Sequence, residues 1–160
     1  MRNRSIKLLS TIALAVLSIA LSAAVARAQD AKIVKMVGTG TATVTHQGVQ
    51  AAITEGMAVA LNDEIATGPG VELYVQAYVG AVATVKQNSR IVVAKLGANE
   101  AELDLKSGSV VSQLDPAKRN THNYGVRTPK GVAAARGTVY TVTVQGTEYT
   151  IVTGAGTVSI

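Results

Sequence analysis

The feature that most constrains this chain is a regular alternation of apolar and polar side chains near its middle. Every odd position from 71 to 85 is apolar, namely Val71, Leu73, Val75, Ala77, Val79, Ala81, Ala83 and Val85. Successive side chains of a strand point to opposite faces of a sheet, so the pattern predicts strands with one buried face. The run is long for one strand and Gly80 interrupts it, which predicts a hairpin that turns near Val79 and Gly80.

Glycines divide the rest of the chain in a similar way. They bound runs of about 5 to 8 residues, the ordinary length of strands. Gln145-Gly146 separates two further alternating runs and predicts a second hairpin. No segment after residue 30 has the pattern of a helix. The spacing therefore predicts an all-β domain, and it leaves a sandwich, a barrel and a solenoid-like stack open.

The composition restricts both the core and the chemistry. The 160 residues include no Cys, no Phe and no Trp. The core must therefore be built from Val, Ile, Leu, Ala and a few Tyr. Neither a disulfide nor a thiolate nucleophile is available to the chain.

The first 28 residues have the three parts of a secretory signal peptide. They are a basic start, an apolar run and a small-residue cleavage site, found at Arg2, Arg4 and Lys7, at residues 8–25, and at Ala26-Arg27-Ala28. We therefore expect a signal-peptide helix over 1–28, cleavage after Ala28, and a single mature domain over 29–160. The alternative is an uncleaved anchor, because the apolar run is just long enough to span a bilayer.

Removal of this peptide changes the charge of the chain. The full sequence has 15 basic and 10 acidic residues, and four of the basic ones lie in the peptide. The mature chain then has eleven basic and ten acidic residues, which gives a net charge of +1. The mature domain lacks the basic footprint of a nucleic-acid-binding protein, so we expect no nucleic-acid partner, and no stable membrane insertion once the peptide is cleaved.

Three segments resemble the FecR domain family in their order and spacing. They are GMAVALNDEIATGPGVELYV at 56–75, LDLKSGSVVSQL at 103–114 and RTPKGVAAARGTVYTV at 127–142. The core of the resemblance covers about residues 56–160. It implies a compact all-β unit of short, mostly antiparallel strands, a coiled sandwich or solenoid-like fold. It also implies a periplasmic or secreted protein of a Gram-negative type of bacterium.

Six residues carry the motif positions of this resemblance. They are Thr67, Gly68, Pro129, Arg136, Gly137 and Thr138. A glycine between an arginine and a β-branched strand permits a positive φ, and the guanidinium can donate to carbonyls at strand ends. We expect these residues to be structural rather than ligand-binding.

The resemblance also implies a kind of function. Membrane-spanning FecR regulators join a cytoplasmic region that controls a sigma factor to a periplasmic region that reports on a TonB-dependent receptor. We expect this chain to be the stand-alone FecR-type domain, without the sigma-regulator N-terminal region. The expected function is that of a non-enzymatic exported module that binds a protein or an envelope polymer, with cell-surface signalling as one setting.

Catalytic and metal-binding residue patterns are weak in this chain. His46 and His122 lie in no motif, and we expect both to be solvated. Glu100, Glu102 and Asp104 alternate along one strand, where they are expected to keep an exposed face soluble. We therefore predict no enzyme activity, no catalytic residue, no cofactor and no metal site.

Two groups of residues are candidates for binding. Tyr74, Gln76 and Tyr78 are expected on one exposed strand face, with the tyrosines about 13 Å apart, a spacing that suits stacking on sugar rings. Lys118 and Arg119 lie in a predicted solvated loop of about 10 residues, 113–123. The expected partner is an envelope or surface protein that pairs with an exposed strand edge, or a polysaccharide. A carbohydrate-binding module and a structural envelope protein are the alternatives.

Overall fold

The computed structural model describes residues 30–118, 122–135, 137–155 and 158–159. The predicted signal peptide, Arg119 and Arg136 lie outside the described residues. Within the described ranges, no helix is long and apolar enough to cross a membrane.

Strands account for most of the described residues, and the one helical element is a 3₁₀ helix at Pro116–Lys118. The strands are β1 (Ala31–Gly38), β2 (Ala42–His46), β3 (Val49–Ala52), β4 (Ala58–Val59), β5 (Glu64–Thr67), β6 (Val71–Tyr78), β7 (Ala81–Val85), β8 (Arg90–Gly97), β9 (Glu100–Leu114), β10 (Asn123–Thr128), β11 (Gly131–Ala135), β12 (Val139–Gln145), β13 (Glu148–Ala155) and β14 (Val158–Ser159). All neighbours pair antiparallel except β9 and β10. The all-β, mostly antiparallel prediction is confirmed.

The strands form two sheets that share β9. Sheet A has the order β4-β1-β6-β7-β9-β12-β13, and sheet B has the order β3-β2-β5-β8-β9-β10-β11-β14. Residues 100–107 of β9 pair within sheet B, and residues 108–114 pair within sheet A. One strand thus passes from one sheet to the other, and the whole sheet curls around a single hydrophobic core.

Gly108 lies where β9 passes between the sheets. Its φ is 87°, and a Cβ at this position would lie 2.5 Å from the Cα of Ser89. Ser89 also fixes the next residue, because its Oγ accepts the N–H of Ser109 at 2.9 Å and donates to the Ser109 carbonyl at 3.2 Å. Only glycine combines this backbone conformation with so close an approach.

The core has the composition that the sequence predicts. It contains Val, Ile, Leu and Ala side chains from both sheets, together with Tyr78, Tyr124 and Tyr140. The two predicted hairpins are also present, β6–β7 turning at Val79-Gly80 and β12–β13 turning at Gly146.

The expected solvated loop at 113–123 is shorter and more packed than predicted. Gln113 and Leu114 belong to β9, and Asn123 begins β10. Asp115 donates its N–H to the Gly80 carbonyl at 2.8 Å and accepts the N–H of Ala117 at 2.9 Å. The first part of the loop is therefore docked on the β6–β7 turn.

The bend at Gly108 can be tested with two alanine substitutions. Gly146 also has a positive φ, 61°, but a Cβ there would meet no atom within 4 Å. We expect Gly146→Ala to lower the free energy of unfolding by about 1 kcal/mol, the cost of the left-handed backbone. Gly108→Ala adds a clash with backbone, so about 3 kcal/mol is expected. Urea unfolding of both variants measures the difference, and equal losses would contradict a special role for the bend.

The three buried tyrosines form a cluster. The rings of Tyr124 and Tyr140 meet edge to face with centroids 6.5 Å apart. The hydroxyl of Tyr140 donates to the Ala133 carbonyl at 3.2 Å, and Ser112 Oγ donates to the Tyr124 hydroxyl at 3.2 Å. Burial raises the pKa of Tyr78, Tyr124 and Tyr140 above the ordinary value of 10.0. These side chains therefore stay protonated in the folded state at a pH at which a solvated tyrosine ionises.

Alkaline pH should therefore destabilise the fold. Above about pH 10 the unfolded chain releases these protons and the folded chain retains them, so the free energy of unfolding falls as pH rises. The expected loss is of the order of 1 kcal/mol per buried tyrosine per pH unit. Urea unfolding between about pH 9 and about pH 11 measures this slope. Tyr140→Phe, which lacks one ionisable hydroxyl, should show a shallower slope, and a pH-independent wild type would contradict the prediction.

Candidate functional site

The predicted pair of stacking tyrosines is not formed. Tyr74 and Gln76 lie half-buried on the outer face of sheet A, next to Lys35 and Lys32 of β1. Tyr78 is only 4% exposed, because a register shift between Gln76 and Tyr78 turns its side chain inward. The expectation that both tyrosines share one exposed face is wrong, and binding by Tyr74 and Gln76 stays a prediction.

The predicted basic loop packs against the same hairpin. Lys118 ends the 3₁₀ helix, and its side chain is half-buried next to Gly80. The ring of His122, which was expected to be solvated, lies 5.0 Å from the ring of Tyr78. Arg119 lies outside the described residues, so a joint role of Lys118 and Arg119 in binding stays a prediction.

Thr67 has a structural role that depends on its side chain. Its buried hydroxyl donates to the Lys86 carbonyl at 2.6 Å and accepts the N–H of Ser89 at 3.0 Å. It therefore ties the end of β5 to the turn before β8. Gly68 is not among the described glycines with positive φ, but a Cβ there would lie only 3.1 Å from the Thr41 carbonyl oxygen.

The later motif positions also lie at structural points. Pro129 is in the turn between β10 and β11. Gly137 has the expected positive φ, 63°. The Thr138 carbonyl accepts the N–H of Leu114 at 3.0 Å, which ties the start of β12 to the end of β9. Arg136 lies outside the described residues, so its role stays a prediction.

The role of Thr67 can be tested by an isosteric substitution. Thr67→Val keeps the shape of the side chain but leaves the Lys86 carbonyl and the Ser89 N–H without this partner, so we expect a loss of about 2 kcal/mol in the free energy of unfolding. Thr141→Val is the matched control, because Thr141 lies half-buried on the outer face of sheet A. The control should stay within about 0.5 kcal/mol of wild type. Equal effects in urea unfolding would show that the Thr67 hydrogen bonds contribute nothing specific.

His46 contacts a carboxylate that the sequence did not single out. Its Nδ1 lies 2.5 Å from Oδ1 of the buried Asp63, while the His46 side chain is 53% exposed. The other oxygen of Asp63 accepts the N–H of Ala60 at 2.9 Å. Among the described residues no hydroxyl is hydrogen-bonded to His46. The pair therefore joins the β2–β3 hairpin to the turn before β5.

Glu102 is not the exposed, solubilising residue that we expected. It is 7% exposed and sits between Lys95, at 3.3 Å from its Oε2, and Arg127, at 2.5 Å from its Oε1. Gly125 of β10 lies directly opposite Glu102, and a Cβ at position 125 would lie 2.9 Å from Cγ1 of Val132. The hydrogen bond and negative charge of Glu102, with those of Glu100, raise the pKa of Lys95. The outer face of sheet B thus carries a charge network that holds β8, β9 and β10 together.

Metal binding gains no support from these acidic groups. In the ranges that the structure describes, no group of three or more His, Asp or Glu side chains could hold a metal ion.

The edges of the two sheets differ in their protection against a further strand. β4 pairs only with Ala31 and Lys32, so the rest of β1 is an edge. This part of β1 has a register shift between Ile33 and Lys35, and the carboxylate of Glu55 accepts the N–H of Met36 at 2.8 Å. The β3 edge has four residues, and β4 and β14 have two each. Short length, bulges, lysines and side-chain caps are the usual devices that keep edge strands from pairing.

Over residues 148–153 the β13 edge has none of these devices in the part of the chain that the structure describes, and its one register shift lies near the end, at Gly154. β13 runs for eight residues, Glu148–Ala155, and pairs only with β12. Glu148 is its single charged residue, and it has no proline. The inward side chains of Tyr149 and Ile151 pack half-buried against the core, so part of their apolar surface stays open at this edge.

The outer face beside the middle of this edge is uncharged. Val152 is 59% exposed there, and its neighbours across β12, β9 and β7 are Thr141, Val111 and Thr84. On the inner side, Lys130 Nζ lies 5.8 Å from the centre of the Tyr149 ring. Sequence reasoning anticipated exposed strand edges, but it could not tell which edge is unprotected, because that depends on the pairing of distant strands. We call Glu148–Ala155 the open edge.

Comparison with known proteins found one match. The family described as FecR protein matches residues 63–159 of this chain. Comparison with curated proteins and with solved structures found no match. The matched region includes β9, the docked loop and the open edge.

Proposed function

The chain belongs to the FecR protein family, and from that premise we propose that it is a non-enzymatic exported module that binds an extended segment of another protein along its open edge. The FecR domain is known in cell-surface signalling regulators, and its family is not an enzyme family. The domain is typically periplasmic in Gram-negative bacteria. These properties suit a module that acts by contact with another envelope protein.

The observation that carries this proposal is the unprotected edge at β13. In an antiparallel sheet, alternate residues of an edge strand direct their N–H and C=O groups away from the sheet. The regular part of this edge, residues 148–153, therefore offers a row of unpaired backbone groups to an extended peptide. Strand addition of this kind obtains affinity from main-chain hydrogen bonds and specificity from alternate side chains.

The side chains of the open edge fit such a partner. A docked strand would cover the exposed parts of Tyr149 and Ile151 on the inner side. On the outer side it would lie next to Val152 and extend the uncharged face. A partner segment with apolar or threonine side chains matches both surfaces. The main chain of a polysaccharide consists of sugar rings and glycosidic bonds and lacks the alternating N–H and C=O groups that a strand edge pairs with, so a protein is the favoured class.

The proposal predicts that a lysine on the open edge prevents partner binding. Val152→Lys places a charge on an exposed side chain of β13, a change that the fold tolerates and that blocks strand addition. Val49→Lys is the matched control, because Val49 is 71% exposed on the other edge strand β3. Tagged domain is used to capture components from envelope extract. We expect wild type and Val49→Lys to retain a protein that Val152→Lys binds at least tenfold more weakly.

The nature of the captured partner is tested in the same experiment. Digestion of the extract with a proteinase should abolish capture, whereas capture that survives digestion and is lost after glycan cleavage would establish a polysaccharide partner and refute the proposal. Equal capture by Val152→Lys and wild type would place the binding surface away from β13.

A further inference from the structure

We infer that the open edge is self-complementary and that two copies of the chain pair through β13 into a two-fold dimer. This inference rests on the proposed function, because it assigns an occupant to the same edge. A two-fold interface requires that one patch match itself when it is turned around. The sequence and geometry of β13 meet that requirement.

The matching follows from the order of residues along the strand. In an antiparallel pair centred on Ile151, Thr150 of one copy lies opposite Val152 of the other. Glu148, the only charged residue of the strand, lies opposite Gly154, which has no side chain. This register pairs residues 149–153 of both copies regularly, with Glu148 facing the bulged Gly154, and brings no two like charges opposite each other.

The two faces of the paired strands also match. Inward and outward side chains alternate along β13, and a two-fold axis through Ile151 places inward residues opposite inward ones. Ile151 and Tyr149 are half-buried, so the Ile151 side chains of the two copies would cover each other where each core reaches the edge. On the outer side, the Thr150 and Val152 side chains continue the uncharged face of sheet A from one copy to the next.

The neighbouring surface does not oppose this arrangement. Thr141 and Thr143, which lie opposite Val152 and Thr150 on β12, are uncharged. Apart from Glu148, the lysines and acids on the strands of sheet A lie on β1 and β6, on the far side of β9, with Lys86 directly after β7. Lys130, in the turn between β10 and β11, lies over the Tyr149 ring on the inner side. The charge network of Lys95, Glu102 and Arg127 lies on sheet B. A second copy therefore meets an edge strand whose single charged residue, Glu148, faces Gly154, and by pairing there it covers the site that a partner protein would use.

Charge reversal on purified protein tests this register. Two variants are made, one with Thr150→Lys and Val152→Lys, the other with Thr150→Glu and Val152→Glu. In the inferred register each variant places like charges opposite one another, so each alone should be monomeric by sedimentation velocity under conditions in which wild type is a dimer. An equimolar mixture should form a heterodimer, because lysine then faces glutamate at every one of these pairs. Val49→Lys should remain dimeric like wild type.

A single introduced cysteine supplies a second measurement, since the chain has no cysteine of its own. Ile151→Cys places two thiols opposite each other at the two-fold axis, within the Cα separation that a disulfide allows. With oxidised glutathione as the oxidant, it should form a covalent dimer at least tenfold faster than Val49→Cys, although position 49 is the more exposed. Equal rates would refute the inferred contact.

The outcomes separate this inference from the proposed function. A wild-type chain that is monomeric from micromolar to millimolar concentration overturns self-pairing, even if it captures protein through β13. A wild-type dimer whose two charge variants do not associate on mixing overturns the register centred on Ile151. A third outcome is a wild-type dimer whose charge variants and Ile151→Cys variant behave as expected but which captures no protein from extract. This outcome supports self-pairing and refutes the proposed binding of another protein.

Discussion

The passage of β9 from one sheet to the other is the constraint on which the rest of the fold depends. Residues 100–107 complete sheet B and residues 108–114 complete sheet A, so the two sheets share a strand instead of packing as independent layers. The change of direction requires a glycine, because Ser89 occupies the place where a side chain at position 108 would lie. The hydroxyls of Ser89 and Thr67 then hold the turn before β8 against the bend. A small backbone feature thus fixes the arrangement of two large sheets.

Charge and apolar surface are divided between the two sheets. Sheet B holds its outer surface together with ion pairs around the nearly buried Glu102, and burial of a charged group is tolerated there because two cations contact it. Sheet A has threonine and valine on the corresponding part of its surface, up to the edge at β13. The part of sheet A between β9 and β13 therefore presents different chemistry from the outer face of sheet B, and it ends at the edge strand with the least protection.

Sequence patterns predicted the fold class and both hairpins because those features depend on local periodicity and on single glycines. They failed where a distant strand determines the environment. The alternation through β6 is correct as far as Ala77, but a register shift in the β6–β7 pair turns Tyr78 into the core, which no sequence period reveals. Glu102 looked like one of three exposed acids, yet Lys95 and Arg127 from neighbouring strands enclose it. The same limit applies to the candidate site, because an edge strand is defined by the neighbour that it lacks.

The central position of β9 has a consequence for the order in which the chain can fold. The strands before it alternate between the sheets, since β1, β4, β6 and β7 belong to sheet A while β2, β3, β5 and β8 belong to sheet B. Neither set is joined to the later strands until residues 100–114 are in place. Such a topology has high contact order, so folding is slow and begins only when most of the chain is free to pair. Slow folding is compatible with export of an unfolded chain, which is what the predicted signal peptide would require.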